Sequence, residues 1–335
     1  MTPAATWAFI YWLVNMFRIF ENSYRFVRFW GLRIFCGKKS AIKDYLRRYL
    51  YVTKIVQGMQ PHQTPKYKLD VSPANRVWTM WLQDERPEII QMGLDSIFCF
   101  YPQTVIITDK NLSQYLDIPA YIMDKYRRGI IAPAHFSDYV RVALLDMYGG
   151  TWIDASCLMM DKIPDFIMKQ TFFMLQNPNK KDVSSFFIHA APNNFFIRCI
   201  RVFLEEYWRH ERRAIDYFFF HLFVTVLFTY HPWCNRIWLG QIPYLNSNVK
   251  YFSYFLGRTA DMDAWRYFAR TCFIYKIHRR STVAKNNPNS WYFFLLNMYR
   301  AHALPHPNGT AGAPVFQTVY ETGASDITPP NGAPE

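Results

Sequence analysis

The chain has 335 residues, 51% of them hydrophobic and 19% aromatic, enough apolar side chain to bury a large core and to exclude global disorder. Lys and Arg number 38 against 25 Asp and Glu, and the resulting charge of +13 calls for an anionic partner: a nucleotide diphosphate, an acidic glycan, an anionic lipid surface or nucleic acid. The six cysteines are scattered without C-x-x-C spacing, so neither a zinc site nor a disulfide framework is signalled, and reduced thiols in a cytosolic protein are the simpler reading.

Residues 3–35 mix Trp, Phe and Tyr with Arg18, Arg25, Arg28 and Arg33, and Asn15 and Arg18 interrupt the apolar start. That interruption comes before the roughly 20 residues a membrane-spanning helix needs. Two readings stay open: a helix lying in the lipid headgroup layer, or a helix docked on the rest of the protein. No charged stretch precedes the apolar run, so a cleavable signal peptide is not expected. A basic helix at 43–51 and a linker containing Pro and Gln follow.

From residue 76 the rhythm changes. The run 76–82 reads as a buried strand, Pro87 can start a helix that runs to about Phe100, and 103–108 reads as a second strand. Strand, helix, strand predicts a parallel sheet with crossover helices. Two short helices at 111–116 and 119–127 precede a turn at Gly129. Phe136, Val140, Ala143, Leu144 and Met147 then recur at three- and four-residue spacing, which predicts a helix over 136–148. Gly149 and Gly150 stop it, and 151–154 reads as the next strand. Residues 217–230 are apolar but too short to span a bilayer, and a buried helix is expected. Beyond about 303, Pro, Gly, Ala, Thr and Asn dominate, and a disordered tail is expected. The predicted organisation is therefore a helical, basic-aromatic extension and linker at 1–73, an α/β domain at 74–302, and a tail at 303–335.

The chemistry concentrates around that helix and strand. Asp138 and Arg141 are three apart and share a helix face, offering a carboxylate and a planar guanidinium for hydroxyls or a phosphate. The plainer alternative is a surface ion pair. Asp154 ends the following strand, at the ligand-binding edge of an α/β sheet, or else is a turn former there. Asp154 and Ser156 flank Ala155, so in extended backbone they point the same way and can share a hard cation. Such a cation would neutralise a leaving diphosphate. Lys276 and His278, in a basic run, are possible donor contacts or a solvated strand end. His189 and His221 lie in apolar surroundings and read as core histidines. No P-loop, G-x-G-x-x-G or Ser-His-Asp motif is present.

Three blocks in order carry a resemblance. Val77-Trp-Thr-Met-Trp81 is the first. Thr108-Asp-Lys-Asn-Leu112, with Ile118-Pro-Ala-Tyr-Ile122 and Lys125-Tyr-Arg-Arg-Gly-Ile130, is the second. Ala134-His-Phe-Ser-Asp138 through Gly149-Gly-Thr-Trp-Ile-Asp154 is the third. Together they resemble the capsular polysaccharide synthesis proteins, a branch similar to glycosyltransferases with a D-x-D motif and a GT-A fold. The resemblance implies a mostly parallel sheet flanked by helices and transfer of a hexose from a nucleoside diphosphate sugar to a glycan or lipid-linked glycan. Trp81 would stack on the nucleotide base, and Ser137, Asp138 and Arg141 would contact the donor sugar and phosphate. Asp154 would begin the metal motif for Mn²⁺ or Mg²⁺. The departure is Ser156, a neutral hydroxyl at the second acidic position. A cytoplasmic enzyme is expected, peripheral at the inner face of the plasma membrane, with no nucleic-acid partner. The alternative is a catalytically inactive module binding the membrane surface or a glycan.

Overall fold

The computed structural model describes residues 28–30, 33–34, 36–59, 76–176, 183–277 and 285–302. Apart from 28–30 and 33–34, the segment at 3–35 lies outside the described residues, as does the tail from 303. No helix among the described residues is long and apolar enough to cross a membrane.

Helices α1 (Lys38–Arg47) and α2 (Val52–Gly58) come first, joined by a single 3₁₀ turn at Arg48–Tyr51. Strand β1 (Val77–Met80) leads through α3 (Glu88–Phe100) to β2 (Val105–Ile107), and Pro87 caps α3 in the extended geometry its ring dictates. After α4 (Ala120–Arg127), α5 (Pro133–Tyr148) feeds β3 (Gly150–Ile153) and the short β4 (Cys157–Met159). Helix α5 begins three residues before its apolar periodicity does, because Pro133 occupies its first turn, where a missing N–H costs nothing. Strands β5 (Phe172–Gln176) and β6 (Val183–Ala190) precede α6 (Phe195–His210) and α7 (Phe219–Tyr230), and β7 (Ile274–Lys276) and α8 (Trp291–Arg300) close the described chain.

Five strands form the central sheet in the order β2-β1-β3-β6-β5. Strands β1, β2 and β3 are parallel, and β6 runs antiparallel to both β3 and β5, so four of the five point the same way. Residues alternate between two cores with the strand period of two. Trp78, Trp152, Phe172, Met174 and Ile188 face one core, and Val77, Ile153, Phe173, Leu175 and Phe187 face the other. A sheet covered on both sides explains why its strands read as continuous apolar runs. Helices α5, α6 and α7 cover the first face; α3, α8 and the two-stranded β4–β7 sheet cover the second.

Ile42, Leu46, Tyr49, Val52 and Val56 of α1, α2 and the turn between them are buried in the first core with α6 and α7. Arg47 lies over the Tyr230 ring at 4.2 Å, and Lys38 pairs with Asp216 at 2.6 Å. Residues 38–58, which fall in the 1–73 extension and linker read from the sequence, thus share their interior with the sheet. Asp146 is completely buried and accepts from Arg198 Nε at 3.1 Å and Arg201 Nε at 2.7 Å, joining α5 to α6.

Candidate active site

The sheet order creates the site. The chain leaves β1 on one face through α3 to reach β2, and returns to the other side of β1 with α5 on the opposite face before β3. Between β1 and β3 the connections diverge, and a crevice opens at the carboxyl ends of the strands. Trp81 follows β1 and Asp154 follows β3, so both stand at its mouth.

Two glycines set the approach. Gly149 and Gly150 hold φ of 65° and 105°, and a Cβ on Gly150 would lie 2.5 Å from the Arg76 carbonyl oxygen. The turn therefore delivers β3 flush against β1. At the far end of β3 the Asp154 N–H donates to the Phe186 carbonyl at 2.9 Å, and the Cys157 N–H returns to the Asp154 carbonyl at 3.0 Å. Antiparallel pairing of β4 with β7 places Cys157 opposite Lys276, with the Ile277 N–H donating to the Ser156 carbonyl at 2.9 Å.

These constraints bring seven side chains, Ser137, Asp138, Arg141, Trp152, Asp154, Ser156 and Lys276, into one cluster. Arg141 Nη1 pairs with Asp138 Oδ1 at 2.9 Å and donates to the Ser185 carbonyl at 3.1 Å. Its Nη2 donates to Ser137 Oγ and to Asp154 Oδ1, each at 3.2 Å. Trp152 Nε1 donates to the same Asp154 oxygen at 2.8 Å. Lys276 Nζ donates to Asp154 Oδ2 at 2.6 Å and to Ser156 Oγ at 2.7 Å. The Asp138 and Arg141 side chains are only 9% and 5% exposed, which rules out the surface ion pair as the account of their spacing. Asp154 and Lys276 are more open, at 22% and 23%, and are the part of the cluster that meets solvent.

Electrostatics separates the two carboxylates. Burial pushes Asp138 up to about 7, with Arg141 pulling down and Asp154 pushing up. Burial also opposes ionisation of Asp154, but Lys276 and Arg141, with hydrogen bonds from Lys276 and Trp152, outweigh it and hold that carboxyl at about 2. One acid titrates near neutrality and its neighbour stays charged.

The cluster lines a cleft of about 1060 Å³. Trp81 forms part of its wall and donates from Nε1 to the Glu85 carbonyl at 3.0 Å. Five cationic side chains, Lys38, Lys39, Arg141, Lys250 and Lys276, line it among the described residues, against Asp138, Asp154 and Asp216. That balance suits an anionic ligand. Tyr217 and Phe218 stand exposed at the rim.

Of the sequence candidates, Trp81, Ser137, Asp138, Arg141, Asp154, Ser156 and Lys276 all reach this cleft, and His278 lies outside the described residues. His189 is a core histidine that shares a hydrogen bond with Thr151 Oγ1 at 2.8 Å. His221 differs from its expectation: it lines the cleft from α7, edge-on to the Phe218 and Phe220 rings. Burial, then the charges of Arg141 and Lys250, push its imidazole down to about 3, and its buried Nδ1 has no hydrogen-bond partner among the described residues. Lys38, Lys39, Lys250 and the Ser185 carbonyl were not singled out from sequence. No local pattern marked Ser185 or the lysines.

A divalent cation needs oxygen ligands with free lone pairs. Here both Asp154 oxygens already accept hydrogen bonds from nitrogen donors, two of those donors cationic, and the second ligand position holds a neutral hydroxyl. Lys276 Nζ occupies the place between Asp154 and Ser156 that a shared cation would take. No group of three or more His, Cys, Asp or Glu able to hold a metal exists among the described residues. This donor set does not fit Mn²⁺ or Mg²⁺.

A family model described as capsular polysaccharide synthesis protein matches residues 34–295. No curated protein matches the chain. Among solved structures, a chain described as PaToxG Glycosyltransferase is similar over 61% of this chain and 82% of that one, at 13% identity and a TM-score of 0.34. That likeness is too loose to carry a fold or an activity across.

Proposed function

The chain belongs to the capsular polysaccharide synthesis protein family, and from that premise we propose that it is a glycosyltransferase. In this reading the cleft takes a nucleoside diphosphate sugar and passes its hexose to a hydroxyl of a glycan or lipid-linked glycan, on a sheet of GT-A type. The observation that carries the reading is the meeting of Asp138, Arg141, Asp154 and Lys276 at the carboxyl ends of β1 and β3, inside a net-cationic cleft. A nucleoside diphosphate leaving group gains negative charge as its bond to the sugar breaks, and preorganised positive charge lowers that barrier.

The roles divide by exposure. Trp81, on the wall after β1, offers a ring face for the base. Arg141 is almost entirely buried and both of its Nη atoms are engaged with Asp138, Asp154, Ser137 and the Ser185 carbonyl, so it fixes the two carboxylates more than it reaches outward. Asp138 and Ser137 present oxygens to sugar hydroxyls, and Lys276 with Ser156 faces the diphosphate. The acceptor enters past Lys38, Lys39, Tyr217 and Phe218 at the rim.

The test is a donor screen read by release of nucleoside diphosphate, run beside Asp154→Asn. The wild type should turn over at least one donor, and the variant should lose about 10²–10³-fold, the size of one removed electrostatic contact in a transition state. Normal turnover in the variant would refute the role given to Asp154.

A further inference from the structure

We propose that Lys276 does the work of the divalent cation in this site, so that glycosyl transfer here runs without a metal. The inference rests on the glycosyltransferase reading above and deepens it. Its basis is placement. Lys276 Nζ contacts Asp154 Oδ2 and Ser156 Oγ at once, the two oxygens on the strand end that would otherwise chelate a shared ion. The ammonium is also partly open to the cleft, whereas Arg141, the other cation on Asp154, is shut in by Asp138, Ser137 and the Ser185 carbonyl.

Strand pairing holds the Lys276 backbone in register with the start of β4. Its residue is paired across β4–β7 with Cys157, next to Ser156, and the Ile277 N–H binds the Ser156 carbonyl. Nζ itself lies over the Phe186 ring, 5.4 Å from its centroid. The residue types agree with the geometry. A second carboxylate at 156 would be needed to raise affinity for a dication, while a hydroxyl accepts one ammonium hydrogen bond without adding charge. One ammonium facing one carboxylate is already a neutral pair, and it keeps a third N–H for a phosphate oxygen.

The bond between the sugar C1 and the β-phosphate oxygen breaks, and its electron pair stays on that oxygen. The acceptor oxygen forms the new bond to C1, and the acceptor proton leaves to solvent. The products are the glycoside, the nucleoside diphosphate and one proton. The Lys276 ammonium offsets the charge that grows on the departing oxygen.

The experiment has two readouts. The first is turnover of the donor found in the screen, in excess EDTA and then with Mn²⁺ or Mg²⁺ added back. The second is the thermal shift given by inorganic pyrophosphate in EDTA, which probes the phosphate site without turnover. Wild-type rate should be unchanged by EDTA, and pyrophosphate should raise the melting temperature without metal. Lys276→Met keeps the apolar stem and should lose about 10²–10³-fold in rate and the pyrophosphate shift, while Lys276→Arg should retain part of both. The double variant Ser156→Asp with Lys276→Ala rebuilds a paired-carboxylate site and should become dependent on Mn²⁺. EDTA-sensitive wild-type turnover restored by metal would overturn the inference and leave the glycosyltransferase reading standing. Absence of turnover with every donor, together with no pyrophosphate shift under any condition, would overturn both.

Discussion

The ammonium of Lys276 and the carboxylate of Asp154 meet at 2.6 Å although 122 positions separate them in the chain. The contact joins the last strand of the described fold to the end of β3, and it places the more exposed cation of the cluster against its most strongly ionised acid. Arg141 holds the same carboxylate from the opposite side, at 3.2 Å. Asp154 is therefore clamped between two cations of different accessibility.

Arg141→Lys keeps the charge but loses the planar fork that serves Asp138, Asp154, Ser137 and the Ser185 carbonyl together. Buried acceptors left without donors should lower stability by roughly 1–3 kcal/mol. Because Asp154 would no longer be fixed, donor turnover should fall by about 10²-fold or more. Urea denaturation and kcat/KM on the same preparation check both halves. A variant with wild-type kcat/KM would show that the fork plays no part in orienting the acid.

Asp138 gives a pH signature. Its carboxyl sits at about 7 in the folded protein, above its ordinary 3.8, so the folded state holds a proton that the unfolded chain releases. Stability from this group should therefore fall as pH rises from about 4 to 7 and level off above that. Asp154 works in the opposite sense: its contribution is present above 3.8 and is lost as pH drops toward 2. Asp138→Asn should have a flatter stability profile than wild type between pH 5 and 7. Superimposable slopes for the two proteins would contradict the assignment.

Gly93→Ala tests how α3 supports the site. In an open helix this change gains about 1 kcal/mol. Here the added Cβ would lie 2.6 Å from the Ala155 carbonyl oxygen and 2.7 Å from that of Cys157, both backbone atoms. The sign should reverse, to a loss of roughly 1–3 kcal/mol, and turnover should drop as well, because those two carbonyls bracket Ser156. Melting temperature and kcat report the two effects; a stabilised variant would mean that α3 can move away freely.

Asp146→Asn provides the contrast. It removes the charge that Arg198 and Arg201 share in the interior, and should cost about 3–5 kcal/mol. Asp146 does not line the cleft, so KM for the donor should be preserved in the fraction that folds. A change in KM larger than that in melting behaviour would place this network in ligand binding.

Much of the cluster could be read from local pattern. Asp138 and Arg141 shared a helix face by spacing, the paired glycines marked the reversal, and Asp154 stood at a strand end. Those relations operate within about twenty residues, where helix and strand periods hold. What sequence could not supply were the partners from elsewhere: the Ser185 carbonyl on an antiparallel strand inserted beside β3, the rim lysines of α1, and the pairing that brings β7 alongside β4. Strand order depends on tertiary pairing that no local period encodes. His221 shows the same limit, since an apolar neighbourhood in sequence does not say which side of α7 looks into a cleft.

The β4–β7 pairing has a consequence for synthesis. A chain that has emerged only through β6 already contains Lys38, Lys39, Arg141, Asp138 and Asp154 of the cleft lining, but not Lys276. Asp154 then has Arg141 but lacks its second cation, and Ser156 lacks its ammonium partner. Only when β7, the last strand among the described residues, pairs with β4 is the cation set at the strand end complete.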